Sequence, residues 1–454
     1  MKKLITIALS LLLLPFLAQS QPLPNTLTPD QKAYELSLIW REMAYNFDNM
    51  DHCAEVDADS LYRAFVPVVR ATEDDYAYSK AIMRYLASFQ NSHTYVVDAP
   101  WLVAPLAQPY IRTEYRDGKL FLTNFASKYA DRMRVGDEVV SINGVDAVTY
   151  MRENMLPYVP ATNDVHRLQI AMSFMGLWTL FPYGTMFDLT LKGDTLYQLS
   201  LPAEKLVDDP SNDWYVNDYD RNKENICYID HTSGTGYLRL TDCFETGKQF
   251  FLQHKDSLAK CQRIILDLTH NVGGQSFNTD DVVGFLAKVD SFSSETILSK
   301  MNIAYMKAQG SYRCWENADP DDIVCQMKNG TYFYTIPSTR YPNPYYPDNF
   351  KGKVMVIQGN NTASAAEWLV SRLHQDKSIV FYGEKTSGAT GNPYQLNLPS
   401  GMIVRFNTWR TFGTDGTETS YGFAPDIPMD FSDCYKATTA EELFRKVTAK
   451  IGVR

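Results

Sequence analysis

The stretch Val354-Met355-Val356-Ile357-Gln358-Gly359-Asn360-Asn361-Thr362-Ala363-Ser364-Ala365-Ala366-Glu367 constrains the fold more than any other part of the chain. Its opening apolar residues, with two valines and an isoleucine, give a short buried-strand signal that breaks at Gly359. Ala365, Ala366, Trp368, Leu369 and Leu373 are helix formers with an apolar face, so a strand, a tight turn and a helix follow in close succession. Ser364 falls at the junction. A hydroxyl there is held on a rigid element, and the unpaired N–H of Ala365 at the helix start can face a developing oxyanion. Serine is also a common helix cap, so the junction alone admits a purely structural role, and the rest of the chain has to decide.

The chain starts with Lys2 and Lys3, an apolar run from Leu4 to Leu17, and Ala18-Gln19-Ser20 ahead of Gln21. This is the pattern of a secretory signal over residues 1–20, which predicts a protein exported to the periplasm or beyond the cell. The run is too short for a membrane span and is interrupted by Pro15, and no later stretch is apolar enough to span a bilayer. A length of 454 residues suggests two to four domains, and a 45% hydrophobic share with 13% aromatics is that of a folded chain. The net charge of −10, without a long basic run, argues against nucleic acid or anionic lipid as partner. The seven cysteines, Cys53, Cys227, Cys243, Cys261, Cys314, Cys325 and Cys434, include no CxxC pair, which disfavours a zinc knuckle or redox motif. In an exported protein Cys314 and Cys325 are the expected local disulfide pair, and an odd count leaves a thiol over.

Thr28-Pro29-Asp30-Gln31 is a capping box with proline at the first helical position. The apolar residues Leu36, Ile39, Trp40, Met43 and Phe47, and later Ile82, Tyr85, Leu86 and Phe89, recur at helical spacing. Residues 21–104 therefore read as a helical subdomain whose pattern changes at Asn91-Ser92-His93-Thr94-Tyr95. Residues 105–205 read as β-rich, with Asp117-Gly118 and Asn143-Gly144 as tight hairpin turns. Within them, Met133 to Gly144 resembles the signature of a PDZ domain, which implies capture of an extended peptide by strand addition. The second half of the module, through Met172, Phe174, Met175, Leu177 and Trp178, predicts an inserted helix or loop. Residues 206–225 read as a linker. An α/β rhythm over 206–454 follows, with strands at Tyr237–Leu240, Arg263–Leu268, Val354–Ile357 and Ile379–Tyr382 and helices near Asp280–Lys288 and Ser364–Leu373. Residues 292–350 read as a surface insertion.

Asp267-Leu268-Thr269-His270-Asn271-Val272-Gly273-Gly274 ends a buried strand in paired glycines, which let backbone N–H groups approach a ligand closely. With the Ser364 turn, this segment resembles the carboxyl-terminal processing, or tail-specific, serine protease family. That family shows Asp-Leu-Arg-x-Asn-x-Gly-Gly after a strand and later Thr/Ser-Ala-Ser-Ala-x-Glu. The resemblance implies a crotonase/ClpP-like α/β core beside the helical subdomain and the PDZ-like module. It also implies that Ser364 is the nucleophile, with Gly273 or Gly274 and the Ala365 amide as the oxyanion hole. The commoner branch carries its general-base lysine at what is here Ala389. The tricorn-protease-core branch uses a Ser-His pair instead, and Ser92-His93 resembles that motif. Glu418 to Ile427 resembles that branch's Glu-x-x-Gly-x-x-Pro-Asp segment, which makes Glu418 the implied carboxylate.

The chemistry agrees with the resemblance. A serine hydroxyl is a weak nucleophile until a base within hydrogen-bond reach takes its proton, and imidazole suits that task near neutrality. The imidazole must be held in one tautomer, the role expected of Ser92 and Glu418. No HExxH, P-loop or dinucleotide fingerprint occurs, so neither a metal nor a nucleotide cofactor is implied. The expectation is thus a serine endopeptidase cutting extended or unfolded polypeptides through an acyl-enzyme. The alternative is a catalytically silent peptide- or hydrophobic-ligand-binding protein on the same fold.

Overall fold

The computed structural model describes residues 26–47, 56–98, 106–173, 181–205, 215, 224–300, 319, 322–328 and 333–453. The expected signal segment, most of the expected linker, Phe174 to Trp178, Cys53 and Cys314 lie outside the described residues. Cys325 is disulfide-bonded, and Cys227, Cys243, Cys261 and Cys434 are free.

Three helices open the described chain: α1 (Pro29–Asn46), α2 (Ala58–Arg70) and α3 (Asp75–Ala87). Each starts where a side chain takes up an orphan N–H. Thr28 and Gln31 form the predicted capping box, Asp57 accepts from Ser60 N at 2.6 Å, and Asp74 accepts from Ala77 N at 2.7 Å. Their apolar faces pack Leu36, Ile39, Met43, Ile82 and Tyr85 into one core, joined by Phe89 just past α3. That core is completed from the far end of the sequence by Leu398, Met402, Val404 and Phe406. The hairpin Tyr394–Asn397/Ile403–Phe406 supplies those residues, and its second strand pairs antiparallel with Tyr95–Asp98. The amino-terminal helices are therefore built onto the carboxyl-terminal half of the chain.

The middle of the chain forms an antiparallel sheet with strand order Ile111–Arg116, Lys119–Phe125, Glu138–Ile142, Met186–Lys192, Leu196–Pro202. Asp117-Gly118 and Asn143-Gly144 turn with positive φ at both residues, as the sequence predicts for two-residue hairpins. Helices Ala147–Asn154 and Asp164–Ala171 pack on this sheet, the second of them ending just before the stretch read as an insertion, most of which lies outside the described residues.

The remaining large sheet has six strands: β1 (Ile226–Asp230), β2 (Thr235–Arg239), β3 (Arg263–Asp267), β4 (Lys353–Gln358), β5 (Val380–Gly383) and β6 (Ile427–Pro428), adjacent in that order. Only β1 runs antiparallel to its neighbour, and the rest are parallel. Parallel strands buried on both faces need long crossovers, and those crossovers carry helices. On one face Ile264, Leu266, Val354 and Val356 meet α4 (Glu245–Leu258), α5 (Asp280–Leu286) and α6 (Ala365–Leu373). On the other, Tyr237, Ile265, Met355 and Ile357 meet α7 (Ala440–Ile451) through Leu443, Phe444 and Val447. Alternate side chains of one strand thus serve two cores.

The segment read as a surface insertion is partly woven into the fold. Thr296–Lys300 pairs on one side with Phe333–Ile336 and on the other with Trp409–Phe412. A strand pairing over such a distance leaves no local signal, and the polar composition of the segment conceals it.

Glu35 joins the helical part to the late hairpin. Buried at 1% exposure, it accepts from Ser400 N (2.6 Å), Ser400 Oγ (3.0 Å) and Tyr78 OH (2.9 Å). Glu35→Ala strands three donors, and it should lower the unfolding free energy by about 1–3 kcal/mol in urea titrations. A stability equal to the parent's would show that this joint is not holding the two ends together.

Candidate active site

Strands β3 and β4 are neighbours and end at the same edge of the sheet, where ligands of such folds bind. Each runs into one of the two turns singled out in the sequence. Thr362 fastens the turns: its Oγ1 donates to Leu268 O (2.7 Å) and accepts from Gly359 N (3.0 Å). Ala363 N donates to Asn271 O at 2.9 Å. Asn271, wholly buried, donates through Nδ2 to Leu240 O (3.0 Å) and accepts from Gly273 N through Oδ1 (3.0 Å). Cys243 N donates to Gly273 O (2.8 Å), and Gln275 N donates to Cys243 O (3.0 Å).

Ser364 sits at the N-cap of α6 with φ 55° and ψ −122°, a left-handed conformation unfavourable for a residue with a side chain. Such strain costs about 1–3 kcal/mol and persists where surrounding bonds over-determine it. Gly273 (φ 92°) packs directly on this turn. A Cβ at Gly273 would stand 2.6 Å from Ser364 Cβ and 2.9 Å from Ala365 N. The N–H of Gly273 is taken by Asn271. Those of Gly274 and Ala365 make no hydrogen bond among the described residues. Two unbonded backbone donors thus belong to the turns that surround a half-buried serine.

His93 is 8% exposed and follows a turn stabilised by Asn91, whose Oδ1 accepts from His93 N (2.9 Å) and Thr94 Oγ1 (3.1 Å). Its Nδ1 faces Thr390 O at 3.3 Å, so a proton on Nδ1 fixes the tautomer and leaves Nε2 as the basic nitrogen. Burial lowers the imidazole from its ordinary 6.5 to about 4; the Thr390 carbonyl opposes this shift and the Arg405 cation adds to it.

Thr390 ends a loop, 386–390, that also embraces the helix behind Ser364. Glu367, wholly buried on α6, accepts from Thr386 Oγ1 (2.7 Å), Gly388 N (2.8 Å), Ala389 N (2.8 Å) and Ser364 N (3.2 Å). The loop thereby links Ser364 to His93, although no hydrogen bond joins those two residues directly among the described residues.

Ser92 and Glu418 are placed otherwise than as an imidazole-orienting pair. The Ser92 hydroxyl accepts from Thr162 N (3.0 Å), lies 3.1 Å from Thr162 Oγ1 and donates to Ser387 O (3.4 Å). Glu418 lies 4.0 Å from Arg410 and bridges Phe412 through its backbone. Neither hydrogen-bonds to His93 among the described residues. The acceptor found on Nδ1 is a backbone carbonyl, a group with no residue-type signature. Asn271 and Glu367 join the site as well, although the sequence does not mark them as functional candidates. Glu367 carries a readable signal, since a serine at N-cap followed by glutamate at N3 spells a capping box.

Two other histidines clarify the site. His166, on the helix Asp164–Ala171, lies near the Asn360 backbone close to the Ser364 turn, and burial lowers it to about 4. His270, beside the glycine pair in sequence, packs edge-on to Tyr435 at 5.1 Å. Arg372, on α6, binds Asp280, Thr279, Tyr341 (3.1 Å) and Ser276 O (3.1 Å), and so fixes the 276–280 turn to the nucleophile helix.

A strained serine between two adjacent strand ends, flanked by unbonded amides, is an arrangement suited to nucleophilic attack on an acyl carbon. Residues 234–429 match the sequence model of Peptidase family S41, so the chain carries a serine-type peptidase domain of that family. Among solved structures, mature CPAF superposes with a TM-score of 0.69 at 13% identity, covering 93% of this chain and 96% of that one. CPAF complexed with lactacystin gives 0.68 at 12%, covering 93% and 97%. The photosystem II D1 C-terminal processing protease gives 0.45 at 16%, covering 91% and 96%. At these identities the CPAF likeness is one of fold. No curated protein sequence matches the chain.

His93 gives a stability prediction with a definite sign. Above pH 6.5 neither folded nor unfolded chain protonates it, and its contribution is constant. Between 6.5 and about 4 the unfolded chain takes a proton that the buried ring refuses, so stability falls as pH falls. The slope from this residue is about 1.4 kcal/mol per pH unit. Denaturant titrations across that window should show His93→Gln lacking that component, and parallel curves for parent and variant would refute the assignment.

Proposed function

We propose that this protein is an exported serine endopeptidase that cuts extended polypeptides through an acyl-enzyme, with Ser364 as nucleophile and His93 as general base. The observation that carries the reading is the junction at Ser364: a left-handed serine between two strand ends, with the amides of Ala365 and Gly274 unbonded beside it. Ser364 Oγ attacks the scissile carbonyl while His93 Nε2 takes its proton. The oxyanion receives hydrogen bonds from Ala365 N and Gly274 N, since Gly273 N is committed to Asn271. His93 then protonates the leaving amine, and water, activated by the same ring, releases the acyl group. Thr390 O stabilises the imidazolium. Ser92 acts one step back by holding Ser387 and Thr162, and Glu418 is retained as the downstream carboxylate of the Arg410 side.

Substrate class follows from the surroundings of the glycine pair. Phe244, Val272 and Phe277 are exposed at 51%, 59% and 61%, on segments that meet at Cys243 and Gly274. Large apolar side chains left in water beside a nucleophile favour an apolar substrate residue there. The antiparallel module, read as PDZ-like, adds an edge strand on which an extended chain can satisfy its backbone. The reading of the opening residues as a secretory signal supports a mature protein outside the cytoplasm, with Gln21 as its expected first residue.

A fluorophosphonate should label the protein at Ser364, and Ser364→Ala should abolish both labelling and peptidase activity. His93→Ala should slow labelling by about 10³-fold or more, while His166→Ala, which removes the other imidazole near the turn, should cost little. Activity surviving in Ser364→Ala ends this reading, and a large loss in His166→Ala with an active His93→Ala reassigns the base. Among unstructured peptides, those with Phe or Leu before the cut bond should be cleaved faster than those with Asp or Lys, and Val272→Asp should narrow that difference.

A further inference from the structure

The 386–390 loop exchanges hydrogen bonds with several separate parts of the chain before α6 is counted. Ser387 N donates to Thr362 O (3.0 Å) on the nucleophile turn, and Thr386 N donates to Phe423 O (3.0 Å). Thr162 Oγ1 donates to Gly388 O (2.8 Å), and Asn163 Nδ2 donates to Ser387 O (3.0 Å). The loop's own inward donors converge on one carboxylate: Glu367 Oε1 accepts from Thr386 Oγ1 and Gly388 N, and Glu367 Oε2 accepts from Ala389 N and Ser364 N. Glu367 has no ion-pair partner among the described residues, and Arg372, further along the same helix, is engaged by Asp280 instead.

We propose that Glu367 is a positioning residue whose ionised carboxylate ties the nucleophile turn to the 386–390 loop, and through the Thr390 carbonyl sets the His93 imidazole against Ser364. The inference rests on the reading of Ser364 as nucleophile and His93 as base. Two carboxylate oxygens offer about four acceptor sites, and these four donors fill them, with Ser387 Oγ as a fifth, longer contact at 3.5 Å. A proton added to either oxygen points at a donor already there, so the neutral acid cannot keep all four bonds. Release of Gly388 or Ala389 frees the loop, and Thr390 O moves with it. A shift of about 1 Å between nucleophile and base is enough to cost about 10²-fold in rate.

Burial and charge make the switch fall in a useful range. Burial pushes Glu367 up to about 7 against the opposing pull of its four hydrogen bonds, whereas burial pushes His93 down to about 4. The groups facing the carboxylate are Ser364 from its own helix and Thr386, Ser387, Gly388 and Ala389 from the loop, none of which titrates between pH 4 and 9. His93 lies beyond Thr390, Lys385 precedes the loop, and Tyr421 belongs to the segment packed on Gly388. An acid limb near neutrality therefore belongs to Glu367, since His93 has already lost its proton well below it.

The test is the pH dependence of kcat/KM and of fluorophosphonate labelling in the full chain, compared with variants. The parent should lose activity as pH falls through about 7. Glu367→Gln cannot titrate; it should lower kcat about 10- to 100-fold with a smaller change in KM, and show no limb near 7. Glu367→Asp, which keeps the charge, should recover part of the rate and a titrating limb. Thr386→Val removes one bond from the ionised form, so its limb should move to higher pH; this variant carries the test if Glu367→Gln does not fold. A limb of unchanged midpoint in Glu367→Gln or Thr386→Val overturns the proposal. Activity surviving in Ser364→Ala instead overturns the underlying reading, so the two failures are distinct.

Discussion

A single steric contact governs the chemistry of this protein. Gly273 packs so tightly on the turn carrying Ser364 that a side chain there would stand 2.6 Å from both Ala363 O and Ser364 Cβ. The contact exists because β3 and β4 are parallel neighbours in register, Asp267 opposite Ile357, so the loops leaving them emerge side by side. Glycine is required twice over, for its missing side chain and for φ 92°. With the turns at this distance, Ala363 N bonds to Asn271 O and Thr362 Oγ1 bonds to Leu268 O, and Ser364 has no relaxed conformation left to adopt. The strain at Ser364 is thus maintained by the neighbouring strand, and the N–H of Ala365 is left pointing at whatever approaches the hydroxyl.

Burial acts in opposite directions on the two titratable groups that flank this turn. It disfavours the charged form of each, which raises a carboxylic acid and lowers an imidazolium. Glu367 and His93 consequently move past one another, to about 7 and about 4. Both are tethered to the same five residues, Glu367 by the amides of 388 and 389 and His93 by the carbonyl of Thr390. A base depressed to about 4 is neutral and ready across the physiological range, but it is a weaker acceptor than an ordinary imidazole. The short loop, with Thr390 O against Nδ1, supplies the compensating stabilisation when the ring is charged. A buried carboxylate with four donors is a rigid means of holding that carbonyl in place.

Much of this arrangement was legible in the sequence, for reasons that differ by residue. Four of the five parallel core strands read directly, because strands buried on both faces are runs such as Val354 to Ile357 with no polar interruption. Asp117-Gly118 and Asn143-Gly144 read as hairpins because few other residues tolerate positive φ at both positions. Ser364 and the glycine pair read through local grammar, and His93 through its motif. The partner of His93 did not, because a backbone carbonyl can come from any residue type. Ser92 and Glu418 were assigned to the ring by motif, yet Ser92 meets Thr162 and Ser387, and Glu418 meets Arg410. Which polar groups meet across 70 or 295 positions is decided by packing. The pairing of Thr296–Lys300 with Trp409–Phe412 escaped for the same reason.

The family match spans residues 234–429 and contains Ser364, both glycines, Glu367 and the 386–390 loop, but not His93, the proposed base. His93 comes from the other end of the chain. It is delivered because Tyr95–Asp98 pairs with Ile403–Phe406, and because the hairpin bearing that strand completes the core of α1 and α3. The site therefore draws on both ends of the sequence: the strained serine and its flanking amides lie on turns leaving the parallel sheet, whereas the placement of His93, the proposed base, depends on the amino-terminal helices packing on the late hairpin.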